Sequence, residues 1–406
     1  MKKLALHWKI LIGLVLGVIY GIFLTEHIQY VSWMGVIFLR GLKMVIVPLI
    51  LSSIISGITN VGSAGNLGRL GLKTMGYYVM TSLIAIITGL FFVNAMKPGV
   101  DANIGLTKEV EGLGGSSADF INTLINIVPE NIFQAFANND MLSIIFFAIV
   151  FGFFITQVGN KPKTFMTDLF NATFEVMMKV TMFVIKLAPF GIFGIIANAV
   201  AEAPSLTEFA GRMGVYMLTV VASLFFHAFI SLPLLLKFLG KVKPTWHMKN
   251  MSTPLLTAFS TASSSATLPL TMEAVEHKSG ASNKVTSFTL PLGATINMDG
   301  TALYECVAAI FIAQAYGVEL SVFTQAIIVI TALLSSIGAA GIPMAGFVMI
   351  SVILTAAGLP LEGVGLILAV DPLLDMFRTA TNVWSDSCGA VIIAKSEGED
   401  LNIDNE

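Results

Sequence analysis

The chain has 406 residues, of which 55% are hydrophobic and only 12% charged, with a formal net charge of −3 and a mean hydropathy of +0.84. A soluble domain carries about 25% charged residues, so the charges are too few to cover a water-facing surface, and no basic cluster suggests nucleic acid. Repeated apolar runs of about 20 residues point instead to an all-α polytopic membrane protein.

The first run follows a basic start, MKKLALHWKILIGLVLGVIYGIFL. No small-residue cleavage site follows, so it reads as a first transmembrane helix near 9–25 rather than a signal peptide. Further apolar spans fall near 31–58, 74–95, 121–158 (interrupted at Asn138, Asn139 and Asp140), 165–200, 211–240, 284–315 and 363–395. These make eight expected helices. Lys2, Lys3 and Lys9, then Arg69 and Lys73, Lys161 and Lys163, and finally Lys237, Lys241, Lys243 and Lys249 mark alternate connections. The positive-inside rule makes those connections, and both termini, cytoplasmic. The 97–120 connection is mixed in sign and rich in Gly, as an outside loop can be. Cys306 and Cys388 lie in apolar segments without metal spacing and read as small buried hydrophobes.

Two apolar segments do not fit a simple span. Segment 251–276 has lysines on both flanks and the tip Ser263-Ser264-Ser265-Ala266-Thr267 at its centre. Its arms of about ten residues reach only half a bilayer at about 1.5 Å per residue. Segment 321–358 breaks at Ser335-Ser336-Ile337-Gly338-Ala339-Ala340-Gly341-Ile342-Pro343. Both read as re-entrant helical hairpins, because non-helical backbone at that depth must be buried in protein or line a cavity. Hairpin, polar helix, hairpin, polar helix is the order of an inverted repeat with its site at the midplane. Two ordinary spans with serines as packing glue are the alternative.

In the last span, Asp371, Asp375, Arg378, Asn382 and Asp386 are spaced by three or four residues and fall within a wedge of roughly 80°. A self-neutralising Arg–Asp pair accounts for Arg378 and one aspartate, not for the other two. Arg378 offers a rigid donor fork that matches a carboxylate. Asp375, a turn earlier, is placed to accept an ammonium, and Asp371 to orient the arginine. Asn297 and Asp299, in a polar stretch between two apolar runs, join Asn382 and Asp386 as hard oxygen ligands that suit Na⁺ better than a transition metal.

Four motifs, SSSATLP at 263–269, NMDGT at 297–301, GIPMAG at 341–346 and DMFRTATNVWSD at 375–386, stand in the order found in one family. The chain resembles, over essentially its whole length, the glutamate transporter family of dicarboxylate/amino acid:cation symporters. The resemblance implies a homotrimer in a bacterial plasma membrane, moving its substrate by an elevator motion, with no cofactor beyond the coupling sodium ions and no enzymatic activity. Residues 1–70 would supply scaffold helices 1 and 2, and 71–120 the third helix of the transport part and an outside loop. Residues 121–210 would supply scaffold helices 4 and 5. Residues 211–406 would form the transport core: the sixth helix, hairpin 1 at 246–276, the seventh helix, hairpin 2 at 321–358 as the outer gate, and the eighth.

Carried over by motif, Arg378 would hold the side-chain carboxylate of an acidic amino acid and Asp375 its amino group. Ser263, Ser264, Thr301, Thr379 and Asn382 would bind the remainder, with Ile342 and Gly346 closing over it. One sodium site would use Gly293, Asn297, Asn382 and Asp386. A second would use backbone oxygens of Thr295, Ser336, Ile337 and Ala339, and a third Tyr78, Thr81 and Ser82 with Asn297 and Asp299. Glu305 stands where proton- and potassium-coupled members carry a glutamate, which makes it a candidate proton carrier. Ala262 replaces an arginine of archaeal members, and Met344 a Gly or Gln.

A proton- or sodium-coupled C4-dicarboxylate symporter is the nearest alternative, although relatives of that kind lack the counterpart of Asp375. An intramembrane serine protease would need a base beside Ser263–Ser265. His227, the one histidine well inside a span, reads instead as packing or helix-to-helix hydrogen bonding. A channel would need a ring of repeated pore elements, whereas here the polar groups gather in one cluster.

Overall fold

A computed structural model of the chain describes residues 6–62, 68–100, 125–202, 206–338, 345–367 and 370–401. Within them it is helical, with no strand. Helix α1 (Leu6–Phe23) packs along α7 (Ala188–Glu202). Gly13, Gly17 and Gly21 form the contact stripe, where a Cβ would come 2.3, 2.8 and 2.7 Å from the carbonyl oxygens of Pro189, Phe193 and Ala197. Small residues at four-residue spacing let membrane helices approach this closely. Helix α2 (Ser32–Gly62) lies against α5 (Met141–Gln157), α6 (Asn160–Lys186) and α7. The short α4 (Ile132–Asn138) leads into α5, and the break between them falls at Asn139 and Asp140, with Asn139 in the left-handed region (φ 59).

The remaining helices gather around α14 (Asp299–Ala315), which is buried along nearly its whole length. Its neighbours are α3 (Gly68–Met96), α8 (Leu206–Phe226) and α18 (Asp371–Ser396), together with α15 (Val322–Gly338) and α16 (Ala345–Ala356). Helix α8 runs through a π turn, His227–Ser231, into α9 (Leu232–Phe238). After α10 (Pro244–Asn250), α11 (Ser252–Thr261) and α12 (Ser264–Glu273) pack on each other and on α18. Ten residues each, they rise about 15 Å, half the hydrocarbon core. Their turn comes at Ala262, in the left-handed region (φ 48). That is one residue before the expected serine tip, because Ser263 is already the N-cap of α12. Helix α13 (Asn283–Ile296) precedes α14, and α17 (Val364–Ile367) precedes α18. The turn of the second expected hairpin, with Ala339, Ile342 and Met344, lies outside the described residues, as does most of the 97–120 connection.

Four helices among the described residues are long and apolar enough to cross a membrane: Ser32–Thr59, Arg69–Met96, Ala210–Phe238 and Asn283–Ala315. Helices α6 and α7 add a fifth if taken as one span bent by 48°, which corresponds to the run expected at 165–200. Large apolar side chains such as Leu16, Ile37, Met44, Phe91 and Phe183 point outward, as on a surface solvated by lipid.

Candidate substrate and cation site

The polar centre is built where one long apolar segment stops being a helix. Asn297 N closes α13 on Gly293 O at 2.9 Å. Asn297 (φ −92, ψ 85) and Met298 (φ −113, ψ 57) then leave helical geometry before α14 starts at Asp299. Asn297 and Asp299 are fully buried, so their side chains must find partners inside the protein.

They find them on three helices. Asn297 Nδ2 donates to Asp386 Oδ1 (2.9 Å) and Ser385 Oγ (3.0 Å) of α18. Its Oδ1 accepts from Thr81 Oγ1 of α3 at 3.3 Å. Asp299 Oδ1 accepts from Ser82 Oγ (2.7 Å), while Oδ2 accepts from Ser385 Oγ (2.6 Å) and lies 3.1 Å from His227 Nε2. Gly293 sits against Asp386, since a Cβ there would fall 2.5 Å from Asp386 Oδ1. Tyr78 OH donates to Thr289 O at 2.7 Å. The residues expected to form the first and third sodium sites therefore converge in one buried nest of carboxylate, amide and hydroxyl oxygens, a donor set that suits a hard monovalent cation.

Two turns nearer the start of α18 the cluster changes sign. Arg378 is 1% exposed. Its Nη2 stands 2.9 Å from Asp371 Oδ1 and 2.9 Å from Asp375 Oδ1, and its guanidinium carbon lies 4.0 Å from the ring centre of Tyr304. Nε and Nη1 have no acceptor among the described residues. Nη1 faces Gly346, where a Cβ would come within 2.1 Å of it. Asn382 joins the two regions: Gly300 N donates to its Oδ1 (2.7 Å), and its Nδ2 donates to Thr301 Oγ1 (3.2 Å). Thr379 is buried beside them. Glu305 is fully buried, with Oε2 accepting from Ser335 Oγ at 3.3 Å and Oε1 without a partner among the described residues.

Other expected residues are less engaged. Ser263 and Ser264 are half-buried, and Ser263 Oγ caps α12 by accepting from Ala266 N at 3.2 Å. Thr295 and Ser336 turn their hydroxyls back to Leu292 O and Leu333 O, consistent with an expectation that concerned only their carbonyls. Ile337 lies in the last turn of α15. Cys306 and Cys388 are free and buried. Sequence reasoning missed Ser385 as a member of the nest. It lies about 20° outside the polar wedge of α18, so a slightly wider wedge would have found it. His227 makes the helix-to-helix bond expected of it, and its partner is Asp299.

An all-helical membrane protein with a broken helix, a buried nest of oxygen donors and a half-satisfied arginine at one locus belongs to the class of secondary transporters. The comparisons identify which. The model of the sodium:dicarboxylate symporter family matches residues 6–396, and the chain belongs to that family. It is 36% identical to the proton/sodium-glutamate symport protein of Bacillus caldotenax, over 98% of this chain and 96% of that one. It is 37% identical to excitatory amino acid transporter 3 of Mus musculus (98% and 88%). It is 36% identical to the proton/glutamate-aspartate symporter of Escherichia coli (97% and 93%).

Proposed function

We propose that the protein is a sodium-coupled symporter of an acidic amino acid, aspartate or glutamate, in a bacterial plasma membrane. The observation that carries this reading is the state of Arg378. One end of its fork is held by Asp371 and Asp375, and Nε and Nη1 are left as buried donors without acceptors among the described residues. Nη1, which faces Gly346, is open to a substrate carboxylate, a strong charge-assisted acceptor for it. Asp375, whose side chain is 32% exposed against 3% for Asp371, is the carboxylate free to take the substrate ammonium. A plain dicarboxylate would leave Asp375 facing a second negative charge, which disfavours the C4-dicarboxylate alternative.

Cation and substrate share groups. Asn382 touches Thr301 and Gly300 on one side, while Asn297, Asp299 and Asp386 gather one turn away. Sodium ordering the break at 297–298 therefore orders Asn382 and Thr301 for the substrate, which makes binding of the two cooperative. In this reading Gly293, Asn297, Asn382 and Asp386 bind one ion. Tyr78, Thr81 and Ser82 with Asn297 and Asp299 bind another, and the carbonyls of Thr295, Ser336, Ile337 and Ala339 a third. Ser263, Ser264, Ile342, Gly346 and Thr379 close around the substrate, and Glu305 carries a proton.

The same reading takes the chain as eight spanning helices and two re-entrant hairpins with both termini cytoplasmic, and as a homotrimer. The core of helices around α14 slides as an elevator past α1, α2 and α4–α7. The test is uptake of labelled aspartate and glutamate into proteoliposomes with Na⁺, H⁺ and K⁺ gradients imposed separately. Saturable uptake that rises steeply with Na⁺, and a weaker Na⁺ dependence in Asp386→Asn, are expected. Uptake driven equally well by a pH gradient without Na⁺ would overturn it.

A further inference from the structure

Behind the cation nest, on the far side of α18, a second buried polar cluster joins three separate segments. His247, in α10, is fully buried. Its Nε2 is 3.2 Å from Ser387 Oγ of α18, and its Nδ1 is 3.0 Å from Ser279 Oγ, the C-cap of the π turn that ends the first hairpin. The network assigns the donors. Ser387 Oγ spends its proton on Trp384 O at 2.8 Å, so Nε2–H donates to it. Nδ1 is then the acceptor for Ser279 Oγ–H, while Asn250 Nδ2 donates to Ser279 Oγ at 3.4 Å. A neutral imidazole satisfies every contact. The ring also stacks on Trp384, with centroids 5.2 Å apart and planes at 27°. The Trp384 indole N–H donates in turn to Ala228 O at 2.9 Å, in the same π turn as His227.

Trp384 and Ser387 flank Ser385 and Asp386 in sequence. Trp384 lies about 160° round the helix from Asp386 at about 100° per residue, so the ring grips α18 from the back while the cation nest occupies the front. We propose that His247 is a positioning residue for the cation site: it fixes the rotation and height of the 384–387 turn, and hence where Ser385 Oγ and the Asp386 carboxylate stand relative to Asn297 and Asp299. The inference rests on the sodium reading above. Loss of the ring takes away the stacking partner of Trp384 and the donor to Ser387 together, loosens the preorganised cage and weakens Na⁺, while Arg378 and Asp375, two to three turns away along α18, keep their geometry.

The experiment uses the purified full chain and measures two quantities. One is the half-saturating Na⁺ concentration, read from Na⁺-dependent thermal stabilisation in detergent and from uptake. The other is the half-saturating aspartate concentration at saturating Na⁺. For His247→Ala the Na⁺ value is expected to rise about tenfold in both assays, with the aspartate value within about twofold of wild type. His247→Gln, whose amide can bridge both hydroxyls, should recover to within about threefold. Ser387→Ala removes one hydroxyl and keeps the ring. It should raise the Na⁺ value about threefold, and it decides the matter if His247→Ala does not fold. An unchanged Na⁺ value in His247→Ala or Ser387→Ala, an equal loss of Na⁺ and aspartate affinity, or no recovery with glutamine would overturn the inference. A wild-type protein that does not respond to Na⁺ would overturn the functional reading, and this one with it.

Discussion

Nη2 of Arg378 stands 2.9 Å from Oδ1 of Asp375, one turn before it on α18, and equally close to Asp371. The two aspartates are not equivalent. Asp371 is enclosed, whereas Asp375 keeps about a third of its side chain open. Asp371 is sealed in beside the arginine, while Asp375, which accepts its hydrogen bond, also stays open to a ligand.

Arg378→Ala is expected to abolish recognition of acidic substrates. Truncating one member of a buried, hydrogen-bonded charge pair costs about 2–5 kcal/mol, so the half-saturating aspartate concentration should rise by about 30-fold or more. Equilibrium binding of labelled aspartate at saturating Na⁺ checks this. Near-normal affinity would mean that the substrate carboxylate sits elsewhere.

Asp375→Asn separates amino acids from plain dicarboxylates. The amide still accepts a hydrogen bond but no longer offers a charge to an ammonium, so aspartate should bind about tenfold more weakly, in the range of a charge-assisted bond. Succinate, which has no ammonium, should lose nothing. Competition by succinate against labelled aspartate in wild type and variant reads the difference directly.

Glu305 faces Ser335 with one oxygen and, among the described residues, no partner with the other. If it carries a proton with the substrate, uptake should acidify the lumen of loaded liposomes. Glu305→Gln should stop the acidification and leave Na⁺-dependent exchange intact. A pH dye inside the vesicles gives the answer, and uptake with no proton flux and no response to internal K⁺ would make Glu305 a structural residue.

At the end of α18, Glu397 receives Arg69 Nη2 at 2.7 Å and Lys73 Nζ at 2.5 Å from α3. These bonds, with Arg69 the larger influence and Lys73 next, hold the carboxyl down to about 2 from its usual 4.5. A depressed folded value means that the contribution to stability is present above the unfolded value near 4.5. It fades as pH falls through that value toward about 2. Glu397→Gln should therefore melt slightly below wild type at pH 7 and equal to it near pH 2, with the gap narrowed by salt because the pair is exposed.

The class of molecule and the polar face of α18 were legible in the sequence, because both are local. Apolar run length reports the bilayer. The spacing of Asp371, Asp375, Arg378, Asn382 and Asp386 reports a helix of about 3.6 residues per turn whatever surrounds it. That Asn297 and Asp299 mark a functional position was legible for the same reason, since a lipid-exposed helix does not keep such groups at its midpoint. Family motifs then pointed to Thr81 and Ser82, which lie 216 and 217 residues from the side chains they meet; no spacing rule spans that distance.

What only the tertiary structure decided is who satisfies whom. Ser385 became a partner of both Asn297 and Asp299 because the side of α18 just outside the polar wedge meets the start of α14. Asp371 became the enclosed neighbour of the arginine and Asp375 the accessible one because packing closes over the first turn of α18 and not the second. His247 reached the back of that helix through a short segment outside every apolar run. Periodicity along one chain sets which side chains share a face. The desolvation cost of buried donors and acceptors, resolved only when helices distant in sequence meet, sets which of them touch.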